Sequence, residues 1–336
     1  LAAMWLMLSG TVAFSASDPF FVIPSCKKPP VIDGKLSEGE WNFAAALTLL
    51  ETVGSRNLRM EQPVFYVCRD KENLYLAMDS IASNTNTIVA SCVMHDHLSI
   101  IGDDCVEIML APGSGKDIER FDFPVYYFAI NALGTVWDCK FIPNSAEDHN
   151  SWESGAEIAN SVDGTRWVCE VRIPFASMVP VPPADGTKWR MNLDRTYSGY
   201  YWAALNGSGG LNDARVGCDI VFDSQAPAFR IVNPQNLIDA QLNLKLELAN
   251  PTEKTQEVSL SLSAKGQATK GADPVVVGTQ TQSVSVKPGE VVEVLLGKNQ
   301  RLLPFNLVTL EADYQQKPLF SMERRVNFPV DRFIPV

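Results

Sequence analysis

The sequence predicts an all-β protein, laid out as two antiparallel β-sandwiches in tandem. Short runs in which apolar and polar side chains alternate recur along its 336 residues. Turn-forming Gly, Pro, Asn and Asp separate those runs, and the 3.6-residue periodicity of an amphipathic helix is almost absent. Strands with this spacing bury one face each and are stable only when two sheets pack face to face.

The first run is Phe20–Ile23. It is followed by a turn-rich segment in which Asp33-Gly34 signals a tight turn, and in which Ser37 with Glu40 has the spacing of a capping box for one helical turn. That turn would carry Trp41, read as a plug for the core. Val64–Arg69 and Leu74–Asp79 read as strands joined by the polar connection 70–73. Next comes Asp104–Leu110, in which Cys105, Glu107 and Met109 point one way and Val106, Ile108 and Leu110 the other. Glu107 therefore shares a face with apolar neighbours and must pair, bind a ligand or stay wet, because burying a lone carboxylate is costly.

Val125–Asn131 and 135–141 form a hairpin hinged at Gly134, and 156–159 with Arg166–Pro174 form another that turns at Asp163-Gly164. Runs at 188–194, 200–205 and 217–222 complete the first sandwich, residues 18–224. Composition then shifts at 223–227. All seven Cys lie before this point, and the runs at 241–248, 258–263, 282–286, 291–296 and 307–313 carry no His, Cys or Trp. Residues 225–336 are thus expected to form a second sandwich of immunoglobulin or fibronectin-like type, a spacer or interaction module.

Residues 1–17 have the length of a signal-peptide core, too short to span a membrane. With Leu1 in place of Met and no basic segment before the apolar run, this signal is expected to be truncated at its start. Export to a secreted or periplasmic location would follow, with the mature protein beginning near Asp18. The end of the chain leaves room for further domains of the same polypeptide. A formal net charge of -11 opposes binding to nucleic acid or to an anionic membrane surface and suits a neutral ligand or a cation.

On these residues the first domain resembles carbohydrate-binding module family nine and its looser relatives, the DOMON-like sandwiches. The resemblance is carried by Val31-Ile32-Asp33-Gly34 with Trp41, by 64–67 running on to 73–76, by 104–110, and by Trp167 to Phe175 as a W-x-x-E-x-x-I-P-F strand. It covers about residues 20–223. It implies binding of a terminal sugar between two Trp rings, with a Glu among the polar groups that take its hydroxyls; Glu107 matches the position of that Glu. The family's two Trp positions fall near Ile101 and within Gly207–Asn212, where this sequence has no aromatic residue. An aromatic platform would therefore be drawn from Trp137, Trp152, Tyr200 and Trp202. The family's structural calcium would fall to Asp103 and Asp104.

No catalytic constellation emerges. Asp104 and Glu107 point to opposite sides of one strand and cannot flank a glycosidic bond as acid and nucleophile. His95-Asp96-His97 offers two imidazoles to a metal, but the sequence shows no third ligand and the segment reads as a surface loop. The expectation is an exported, non-catalytic polysaccharide- or oligosaccharide-binding protein, the accessory N-terminal part of a larger polysaccharide-degrading polypeptide. The alternative is a structural or protein-interaction sandwich that has lost sugar binding.

Overall fold

The computed structural model describes residues 17–81, 88–113, 123–142, 145, 149–198, 201–207 and 213–328. The apolar start, residues 1–16, lies outside them, as does Tyr200. Strands of the first part are β1 (Phe20–Ile23), β2 (Ala45–Leu47), β3 (Glu51–Thr52), β4 (Val64–Arg69), β5 (Asn73–Ile81), β6 (Cys105–Ala111), β7 (Val125–Asn131), β8 (Val136–Phe141), β9 (Glu157–Asp163), β10 (Arg166–Pro174), β11 (Lys188–Tyr197), β12 (Tyr201–Ala204) and β13 (Cys218–Phe222). The second part holds β14 (Ala228–Asn233), the short helix α1 (Gln235–Ile238), β15 (Gln241–Ala249), β16 (Gln256–Gln267), β17 (Val275–Val286), β18 (Val291–Arg301), β19 (Phe305–Tyr314) and β20 (Lys317–Asn327). No helix among the described residues is long and apolar enough to cross a membrane.

The chain is all-β, as its alternation predicts, and its strands form two sheets. One runs β17-β16-β19-β20-β1-β13-β11-β6-β7-β8, with β12 and β3 attached beyond β11; the other runs β18-β15-β14-β2-β4-β5-β10-β9. Both are mixed rather than purely antiparallel, because β1 pairs parallel to β13 and β14 parallel to β2. Each sheet also continues from the first part into the second, through the pairing of β1 with β20 and of β14 with β2. One apolar core runs through both parts, and within the second Phe229 stacks on Phe320 at 4.4 Å.

The faces of the strands fall where the alternation puts them. Val106, Ile108 and Leu110 enter the core with Trp167, Cys169, Val171 and Ile173, each large aliphatic side chain contributing about 2 kcal/mol by leaving water. Strand β20 escapes the pattern because Arg324 points inward. Its guanidinium is buried and donates to the carbonyls of Leu49 and Leu205, both at 2.6 Å. Residues 38–43 form turns rather than a capped helix. Glu40 accepts from the backbone of Val31 at 2.7 Å instead of reaching back to Ser37.

The motifs that carry the family resemblance converge on one buried carboxylate. Glu170 on β10 accepts from the backbone N–H of Asp33 (3.0 Å), Gly34 (2.7 Å) and Lys35 (3.2 Å), and from the indole Nε1 of Trp41 (3.0 Å). Gly34 has φ 79°, and a Cβ there would stand 3.0 Å from the backbone of Asn160. These residues are scaffold, holding the N-terminal turn against the outer face of the sheet at β10.

Candidate functional site

Strands β12, β11, β6, β7 and β8 are adjacent, and their register aligns one row of side chains on the face turned away from the core. Ala204 pairs with Asp194, Asp194 with Glu107, Glu107 with Ala129, and Ala129 with Trp137. Two acidic side chains thus stand side by side with a methyl-sized neighbour on either flank. The next row holds Trp202, Thr196, Cys105 and Asn131. Trp202 and Trp137 lie at opposite ends of this face, four strand spacings or about 19 Å apart at the backbone.

Both acids are buried: Glu107 is 6% exposed and Asp194 2%. Glu107 accepts at Oε2 from the Tyr127 hydroxyl (2.6 Å) and at Oε1 from the Thr196 hydroxyl. Asp194 is less well served, since its Oδ1 is buried and accepts no hydrogen bond. Burial, and then the charge of Glu107, push the Asp194 carboxyl well above the carboxylate range. Burial and the same charge raise the Tyr127 phenol and the Cys105 thiol. Burial thus favours the protonated form of Asp194, and the oxygens of the two side-by-side acids can between them meet a hydroxyl group. Trp202 is half exposed and shares this face, whereas Asn192 is buried and ties strand β11 to Asn206, accepting from its backbone N–H at 2.9 Å.

Of the residues singled out from sequence, Glu107, Trp137 and Trp202 share this face. Trp137 packs edge-on against Tyr127 (5.4 Å between ring centres) and donates from Nε1 to Asn150 (2.9 Å). Trp152 belongs elsewhere. It packs against Tyr126 and Phe128 on the core side and donates to the Ser177 carbonyl at 3.0 Å. Asp194 was not legible as a site residue because the polar run Asp194-Arg195-Thr196 reads as the end of a strand. The available signal was that Asn192, Asp194 and Thr196 stay polar opposite the inward Met191 and Leu193.

Asp103 and Asp104 do not fit a calcium ion. Asp103 accepts from Ser91 N and Oγ (both 2.9 Å), from Cys92 N (2.8 Å) and from Asn131 Nδ2 (2.9 Å). Asp104 accepts from Val89 N (2.7 Å) and from the buried guanidinium of Arg195 (2.6 Å). All four carboxylate oxygens thus face positive N–H or O–H ends, where a cation would be repelled; they fasten residues 89–92 to the sheet instead. Arg195 itself lies between the rings of Trp167 (4.7 Å) and Tyr197 (4.3 Å).

No family model and no curated protein matches the sequence. Among solved structures, the chain is similar to a carbohydrate-binding module of family 9 from Caldicellulosiruptor kristjanssonii. Against its complex with glucose the identity is 13% and the TM-score 0.44, covering 62% of this chain and 97% of that one. Against its complex with cellotriose they are 14% and 0.43, covering 62% and 95%. A Bacteroides uniformis protein proposed to bind carbohydrate is similar at 14% identity and a TM-score of 0.49, covering 62% of this chain and all of that one.

Proposed function

We propose that the face centred on Glu107 and Asp194 binds a neutral carbohydrate, and that the protein is an exported, non-catalytic carbohydrate-binding protein. The observation that carries this is the buried, unpartnered oxygen of Asp194 beside Glu107, on a face that also exposes Trp202. A protein rarely leaves a buried acceptor unsatisfied, and each such group costs about 1–3 kcal/mol. A ligand hydroxyl would satisfy it. Sugars suit such a surface because their hydroxyls meet the paired acids while their C–H faces lie on an aromatic side chain, here the exposed Trp202. The same two acids are directly opposite neighbours on adjacent strands, which leaves no room between them for a scissile bond and argues for binding without cleavage.

The test is retention on a panel of immobilised plant and algal polysaccharides, with calorimetric titration of glucose and cellotriose. Wild-type protein should be retained by at least one polysaccharide, and Glu107→Gln and Trp202→Ala should each weaken binding about 10-fold or more. A folded protein that no glycan in the panel retains would move the protein-interaction reading to first place.

A further inference from the structure

A second group of ligand-type side chains stands apart from the acidic pair, where the edge strand β8 meets the segments before and after it. His95, Asp96, Asp138 and Glu153 each offer one ligand atom, and these four atoms lie within 4.8 Å of one another. They come from three separate stretches of chain. Asp138 lies on β8, His95 and Asp96 precede the 3-10 turn 98–102, and Glu153 follows the 3-10 turn 149–151.

Asp138 sets this cluster apart from an ordinary acidic surface. It is 2% exposed, its Oδ2 accepts from the backbone N–H of Ser154 at 2.8 Å, and its Oδ1 is buried with no partner. The other groups are already oriented. Asp96 has the left-handed backbone φ of 54°, its Oδ1 accepts from the backbone of Asp138 (3.2 Å), and its Oδ2 lies 2.9 Å from His95 Nδ1. His95 and Glu153 are exposed and open the cluster to solvent.

We infer that these four residues bind a divalent transition metal of the zinc class, through one imidazole nitrogen and up to three carboxylate oxygens. The donor set selects the metal. Imidazole with carboxylates suits Zn²⁺ or Mn²⁺, whereas Ca²⁺ takes oxygen ligands almost alone and would forgo the histidine. The cation would neutralise three clustered acids and satisfy the stranded Asp138 oxygen. It would also clamp residues 95–96 and 153 to strand β8, which carries Trp137 at the rim of the acidic face. His97 and His149 do not belong to this set: His97 Nδ1 contacts Ser99 and His149 Nδ1 contacts the Lys140 carbonyl.

The experiment is equilibrium dialysis and calorimetry of metal-stripped protein with Zn²⁺, Mn²⁺ and Ca²⁺ separately. The expected result is one equivalent of Zn²⁺ or Mn²⁺ per chain, at least 10-fold weaker in His95→Ala and in Asp138→Asn and unchanged in His97→Ala. His95 is exposed, so its replacement leaves the fold intact, and Asn at 138 can still accept from Ser154. Absence of stoichiometric binding, binding untouched by the His95 and Asp138 variants, or Ca²⁺ binding as tightly as Zn²⁺ would overturn the assignment.

Discussion

Replacing Glu170 by Ala should destabilise the protein by about 3 kcal/mol. The carboxylate accepts four hydrogen bonds, two of them, from Gly34 N and Trp41 Nε1, in fully buried surroundings. Leaving those two donors stranded costs about 1–3 kcal/mol each, while the half-buried donors of Asp33 and Lys35 can turn to water. Part of the loss is returned, because burial already pushes the Glu170 carboxyl above its ordinary value and so penalises its charged form. Glu170→Gln keeps the shape but turns an amide N–H toward either the Trp41 indole or the backbone donors, at about 1–2 kcal/mol. At roughly 2 °C per kcal/mol for a chain of this size, the Ala variant should melt about 6 °C lower. Urea unfolding followed by tryptophan fluorescence measures the difference directly. A Glu170→Ala protein within about 0.5 kcal/mol of wild type, a change of the size ordinary at surface sites, would refute the account of this network.

Other consequences follow from the same kind of reasoning. Arg195→Met strands Asp104 in the interior and should cost about 3–5 kcal/mol; adding Asp104→Asn should recover part of it, and a double-mutant cycle with no coupling would contradict the pairing. Asp194 has its folded pKa raised by burial and by Glu107, so the native state keeps a proton that the unfolded chain loses near pH 3.9. Its contribution is full below that pH and is lost as pH rises through the folded value. Asp194→Asn should therefore gain on wild type in melting temperature more at pH 8 than at pH 5, and an equal difference at both would count against it. The thiols of Cys26 and Cys68 are in hydrogen-bonding contact, which holds Cys26 below its ordinary value. Mild oxidation should lower the titratable thiols of the unfolded chain from seven to five, with a 26–68 linked peptide in the digest, and seven free thiols after oxidation would disprove it.

Much of the fold could be read from the sequence, because period-two alternation reports which side of a strand meets the core. Strands β6, β7 and β10 lie where that pattern puts them. Strands β2, β3, β14 and β20 were missed for physical reasons: β2 and β3 span three and two residues, and β14 and β20 each bury an arginine, Arg230 and Arg324. Of the site, Glu107 was visible as an acid on an otherwise apolar face. Its partner Asp194 is distant in sequence and becomes its neighbour only through the register of β6 with β11. The same holds for Asp138 and Glu153, which join His95 and Asp96 only when the edge strand is in place.

Protection of Trp202 by a bound sugar tests the central claim most directly. Trp41, Trp167 and Trp189 are buried, Trp137 and Trp152 are partly buried, and Trp202 is 51% exposed. Among the described tryptophans Trp202 should therefore dominate acrylamide quenching, measured on protein that begins at Asp18 and so lacks Trp5. In the presence of the polysaccharide that retains the protein best, quenching should fall in the wild type, and it should be unchanged in Glu107→Gln. Equal quenching with and without that polysaccharide, or the same protection in Trp202→Phe, would place the sugar away from this face.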